Sequence, residues 1–199
     1  MKGIVKISRT AEYDEDNMNH GTNYAFFHRP QCQSLPPRWY QRVISSATRS
    51  IDIWDPYFNY NDNDEDNDCR LFKYLRCSVK MRFLVVESDD KFNSKFRDWE
   101  PSIANMITTA LKPGMDISFS YISPNTELGA KWEFHDRFLI VDNDRVFLVG
   151  SSVGYQLSPK ASTGMYELIN DEDKKLVTDM FELYWTFAKN QKHLKQIAL

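Results

Sequence analysis

The period of the hydrophobic pattern changes repeatedly along the chain. After Pro36 and Pro37, the apolar positions Trp39, Val43, Ile44 and Ala47 follow helical spacing, and Ser50 to Trp54 then alternate as a strand does. Helical spacing returns around Leu71 to Leu75. Met81 to Val86 reads as a buried strand, Ile103 to Leu111 as a helix stopped by Pro113-Gly114, and Ile117 to Ile122 as the next strand. Two apolar runs, Phe138 to Val141 and Val146 to Val149, flank a polar turn, and a final helix from about Asp173 to Ala188 puts Leu176, Val177, Met180, Phe181 and Tyr184 on one face. Such alternation predicts an α/β fold in which a central mixed sheet is flanked by helices on both faces. No internal repeat is visible. Residues 1–199 read as a single domain, with 1–36 an N-terminal extension of weak pattern: a short strand-like start at Ile4, Val5 and Ile7, an acidic loop, and the apolar stretch Tyr24 to His28.

Composition narrows this picture. With 42% hydrophobic and 14% aromatic residues, the chain has enough apolar surface for a packed globule, which excludes a disordered polypeptide. A net charge of -3 supplies no global basic field, so a polyanion has to be met by local groups. Cys32, Cys69 and Cys77 lack the spacing of a zinc site or a disulfide framework and read as reduced thiols. The acidic N-terminal stretch and the lack of an apolar run of ~20 residues predict a soluble, cytoplasmic protein. Asp62, Asp64, Asp66 and Asp68 alternate as in a calcium loop, but Asn67 stands where glycine is needed and Lys73 where the closing glutamate belongs. The run reads as a solvated loop, and neither a metal nor a cofactor is expected. Phe181, Tyr184, Trp185 and Phe187 are expected to pack in the core or at a dimer contact.

The stretch Glu133 to Asp142, followed by Gly150-Ser151-Ser152, carries the chemistry. If Asn143-Asp144 forms a two-residue turn, Asp142 pairs with Arg145, Arg137 with Gly150 and His135 with Ser152, and the last two pairs share one face of a hairpin. An imidazole can attack phosphorus, and a guanidinium can hold two non-bridging oxygens. A serine hydroxyl can add a hydrogen bond, and glycine lets the phosphate approach the backbone. Asp142, of opposite parity to His135 and beside the turn, is assigned a structural role in local hydrogen bonding.

His135, Arg137, Asp142 and Gly150-Ser151 resemble the HKD motif of the phospholipase D superfamily, and Glu167 lies where that family often has a further acidic residue. The helix leading into a strand that ends Asp55-Pro56-Tyr57-Phe58 is similar to the start of these domains. The resemblance implies a phospholipase D-like fold, a covalent phosphohistidine on His135, phosphate binding by Arg137 and Ser151, and an orienting role for Glu167. It selects Ser151 where the assumed register selects Ser152. Two positions depart from the pattern: Arg137 replaces a lysine, and Val153 stands where an asparagine usually follows. Because there is one motif, the family chemistry requires a homodimer that brings two copies of His135 to one site.

The implied activity is that of a metal-independent phosphodiesterase, a nuclease in the first instance, with nucleic acid among its phosphodiester substrates. The alternative is a non-catalytic module that binds a phosphorylated ligand, an anionic membrane surface or a protein partner, including a place in a larger complex.

Overall fold

The computed structural model describes residues 6–7, 24–27, 38–56, 74–75, 78–86, 115–122, 136–150, 163–190 and 194–198. The expected helices at Leu71 to Leu75 and Ile103 to Leu111, the acidic run at 62–68 and the cysteines lie outside them, apart from Tyr74 and Leu75.

The chain order is β1 (Lys6–Ile7), β2 (Tyr24–Phe27), α1 (Arg38–Ser46), β3 (Ser50–Trp54), β4 (Lys80–Val86), β5 (Asp116–Ile122), β6 (Phe138–Val141), β7 (Arg145–Val149), β8 (Thr163–Glu167), α2 (Asp171–Asn190) and β9 (Leu194–Ala198). The strands form one sheet in the order β1-β2-β8-β7-β6-β3-β4-β5-β9. The pairs β1/β2, β3/β4 and β4/β5 are parallel and the others antiparallel, so the sheet is mixed.

Alternation of side chains sorts the core into two layers. On one face Ile51, Ile53, Met81, Phe83, Ile117, Phe119, Leu139, Val141 and Phe147 pack with Val43 and Ile44 of α1 and with Ala47 just after it. The rings of Phe83 and Phe119 stack at 4.6 Å there. On the other face Trp54, Leu84, Ile140 and Val146 meet α2 through Val177, Phe181, Tyr184, Trp185 and Ala188. Trp54 is wedged between Phe138 and Tyr184, at centroid distances of 5.6 and 5.4 Å. Burial raises the Tyr184 hydroxyl above its ordinary pKa. Full burial of each large side chain stabilises by about 1.5–3 kcal/mol. Helices therefore cover both faces of a mixed sheet, as the pattern predicts.

The inward stripe of α2 differs by one position from the sequence reading. Leu176 is 59% exposed, because the buried positions begin at Val177 and continue at Phe181, Tyr184, Trp185 and Ala188. The aromatic residues Phe181, Tyr184 and Trp185 are core residues. Asn170 caps this helix: its side-chain oxygen accepts the Glu172 N–H at 2.8 Å, and its carbonyl accepts the Lys174 N–H at 3.0 Å.

A polar cluster with a buried carboxylate, Asp52, joins the sheet to α2. Arg82 donates through Nε and Nη2 to both oxygens of Asp52, at 2.7 and 2.8 Å, and through Nη1 and Nη2 to Glu182. Its guanidinium also lies 4.9 Å from the Phe181 ring centroid. Burial pushes the Asp52 carboxyl up against the pull of Arg82. Burial also works against the Arg82 charge, but the two carboxylates outweigh it and hold its pKa above the ordinary value. No described helix is long and apolar enough to cross a membrane.

Candidate functional site

The position of Arg137 follows from the ladders on either side of β6. Phe138 pairs with Trp54 of β3 and with Leu148 of β7. One step further in the same registers sets Arg137 between Asp55 and Val149, and two backbone bonds extend the sheet through that row. Val149 N–H donates to the Arg137 carbonyl at 2.9 Å, and Asp55 N–H to the Leu84 carbonyl at 3.0 Å. Arg137 shares the α1 face with Leu139 and Val141, and Asp55 shares it with Ile53. Their side chains meet as cross-strand neighbours, with Arg137 Nε 3.6 Å from Asp55 Oδ1. This is ion-pair distance, longer than a hydrogen bond.

Burial decides what this pair can do. The Asp55 carboxylate is 0% exposed and the Arg137 side chain 22% exposed. A carboxylate buried so completely depends on a nearby cation, since an uncompensated charge in the interior costs several kcal/mol, of order 3–5. A guanidinium carries five N–H donors in a rigid plane and stays charged at any pH the fold tolerates. Its Nε edge faces Asp55, and the guanidinium plane has further edges on which donors can meet a second group.

The hairpin register corrects the sequence reading. Val141 pairs with Arg145, not Asp142 with Arg145, and Arg137 accordingly stands opposite Val149 and not Gly150. The turn is one residue longer than the pattern suggests. Asp142 and Asn143 have φ of 55° and 61°, and Asp144 N–H closes the turn on the Val141 carbonyl at 3.0 Å. Asp and Asn tolerate the left-handed region better than other non-glycine residues, which is why they occupy these two positions. Gly150 is exposed, and its N–H donates to the Gly164 carbonyl at 2.8 Å.

Asp142 explains why the turn sits there. Its Oδ1 accepts the N–H groups of Arg49 and Ser50 at 2.7 and 2.9 Å, and its Oδ2 accepts the Thr48 N–H at 3.0 Å and the Thr48 hydroxyl at 2.8 Å. The Asp142 N–H donates to the Ser50 carbonyl at 2.9 Å. The carboxylate thus caps the bend between α1 and β3 as well as anchoring its own hairpin. Partial burial opposes ionisation, but the donors from Ser50, Arg49 and Thr48 outweigh it and hold the carboxyl below the ordinary value.

Glu167 is engaged by Arg145. Nε and Nη2 of Arg145 donate to its two carboxylate oxygens at 2.7 and 3.0 Å, a bidentate pair that ties β7 to the end of β8. Glu167 pairs with Phe147 and so projects to the α1 face, as Arg137 does. It stands two strands away and one same-face step along, about 12 Å from Arg137 between Cα atoms by ordinary sheet spacings.

His135, Ser151 and Ser152 lie outside the described residues. The structure adds Asp55, which the sequence reading treated only as part of a strand end. Its signal was an Asp-Pro pair closing the strand that precedes the motif in the sheet. The C-terminal end of a parallel strand is where side chains of α/β proteins commonly gather for function. Among the described residues no three His, Cys, Asp or Glu side chains are grouped to hold a metal ion.

No protein-family model matches this chain, and no curated protein matches it. Solved structures do. Nuc from Salmonella typhimurium, described as a phospholipase D family member, aligns with a TM-score of 0.52 at 14% identity, over 88% of this chain and 97% of that one. NucT from Helicobacter pylori aligns with a TM-score of 0.45 at 12% identity, over 82% and 95%. TrmBL2, an archaeal chromatin protein, aligns with 0.41 at 16% identity, over 76% of this chain and 48% of its own length. The two-faced mixed sheet that carries Asp55 and Arg137 therefore has the fold of Nuc, a phospholipase D family member.

Proposed function

We propose that this chain is a metal-independent phosphodiesterase of nuclease type, acting as a homodimer through a phosphohistidine on His135. The observation that carries the reading is the placement of Arg137. It is a mostly buried guanidinium immediately before β6 and two residues after the motif histidine, on a sheet with the fold of Nuc.

In this reading Arg137 and the Ser151 hydroxyl hold the non-bridging oxygens, and Gly150 leaves room for the phosphate beside the backbone. An imidazole nitrogen of His135 attacks phosphorus and the P–O bond to the leaving group breaks. The second copy's His135 supplies the proton that the leaving oxygen takes up. Water then attacks the phosphohistidine, gives up a proton to that second imidazole, and releases the phosphate product. Glu167 contributes through Arg145, bracing β8 against the hairpin. A nucleic acid suits the reading as substrate, since it offers monoanionic diesters that a local cation can hold without a global basic field.

The test combines solution mass by light scattering with cleavage of DNA and RNA in excess EDTA. The expected result is a dimer whose EDTA-resistant cleavage is lost in His135→Ala. An inactive monomer that still binds phosphorylated ligands through Arg137 would instead mark a non-catalytic binding module.

A further inference from the structure

We propose that Asp55 is a specificity-determining residue, which sets the site's preference for a monoanionic phosphodiester over a dianionic phosphomonoester. The inference rests on the reading that Arg137 holds phosphate. Asp55 and Arg137 are cross-strand neighbours on the α1 face, 3.6 Å apart, and the carboxylate is 0% exposed. Water therefore does little to screen it. An anion held on the outer donors of Arg137 sits about 7 Å from that carboxylate, one ion-pair length beyond the guanidinium. Asp55 cancels much of the Arg137 charge at that distance. A phosphodiester carries one negative charge and loses part of its attraction. A monoester or terminal phosphate carries nearly two at neutral pH and is repelled about twice as strongly.

This also gives a physical reason for arginine where the related motif has lysine. A lysine ammonium is one nitrogen that would be shared between Asp55 and the phosphate. A guanidinium can present separate edges to the two anions.

The ratio of two affinities isolates the charge effect, because a change in how well Arg137 is oriented weakens both ligands alike and cancels. The probes are dimethyl phosphate and methyl phosphate, titrated by phosphorus NMR at about pH 8, where the monoester is a dianion. Relative to wild type, Asp55→Asn is expected to shift the preference toward methyl phosphate by about tenfold. Asp55→Glu, which keeps the charge, is expected to retain the wild-type ratio. Asp52→Asn removes a buried carboxylate from the same strand on the opposite face and is expected to leave the ratio unchanged.

An unchanged ratio in folded Asp55→Asn, or a shift of similar size in Asp55→Glu, overturns the inference. If either outcome occurs while Arg137→Ala abolishes binding of both probes, the phosphate reading stands and the charge of Asp55 has no selective role. Binding of both probes that is indifferent to Arg137→Ala overturns the phosphate reading itself.

Discussion

The carboxylate of Asp142 accepts the backbone N–H of Arg49 at 2.7 Å, across 93 residues of chain. With the Thr48 and Ser50 donors it makes one side chain responsible for both the bend after α1 and the turn of the β6–β7 hairpin. The end of the hairpin distant from Arg137 is thereby fixed to the sheet.

Asp142→Ala leaves three backbone N–H groups to find water or other acceptors, and should destabilise the fold by about 2 kcal/mol. Urea denaturation of the two proteins measures this. Because the folded carboxyl titrates below its ordinary value of 3.8, the unfolded chain binds more protons in acid. The contribution is fully present above 3.8 and is lost as pH falls through the folded value. Asp142→Asn should flatten the acid limb of a stability–pH curve; an unchanged limb would show that these hydrogen bonds do not persist in solution.

The Asp52–Arg82–Glu182 cluster predicts an asymmetry. Arg82→Met strands the Asp52 carboxylate, which is 1% exposed, and should cost about 3–5 kcal/mol. Asp52→Asn should cost less, because Glu182 continues to balance the guanidinium. Chemical denaturation of the two single variants compares them, and equal losses would contradict the arrangement.

Asn170→Ala removes the side-chain acceptor at the start of α2 and should cost about 1 kcal/mol. Asn170→Ser should recover most of it. Thermal melting of the three proteins provides the comparison.

Much of the fold is legible in the sequence where one local period decides it. Ser50 to Trp54, buried along most of its length, and the abrupt change from helical spacing in α1 are visible in the chain itself. So are the two apolar runs of the hairpin. Thr163–Glu167 is not: it holds a glycine and little alternation, and becomes a strand because β2 and β7 flank it with ladders on both sides. Leu194–Ala198 follows a long helix in a Lys- and Gln-containing stretch, and its pairing with β5 is set by the sheet edge.

The candidate site divides in the same way. His135 and Arg137 stand out in the sequence by residue type alone. The turn length does not announce itself, because Asp142 adopts its left-handed backbone while its side chain serves a bend 93 residues earlier. Asp55 was hidden for a related reason: its partner is 82 residues away in sequence and meets it only through the β3–β6 ladder.

The central claim is that His135 and Arg137 handle a phosphodiester at the open end of the β6–β7 hairpin. Hydrolysis of a chromogenic phosphodiester in excess EDTA, by wild type and by folded His135→Ala, tests it most directly. The account predicts turnover by wild type and a loss of about a thousandfold or more in the variant; equal rates, or wild-type turnover that EDTA abolishes, would contradict it.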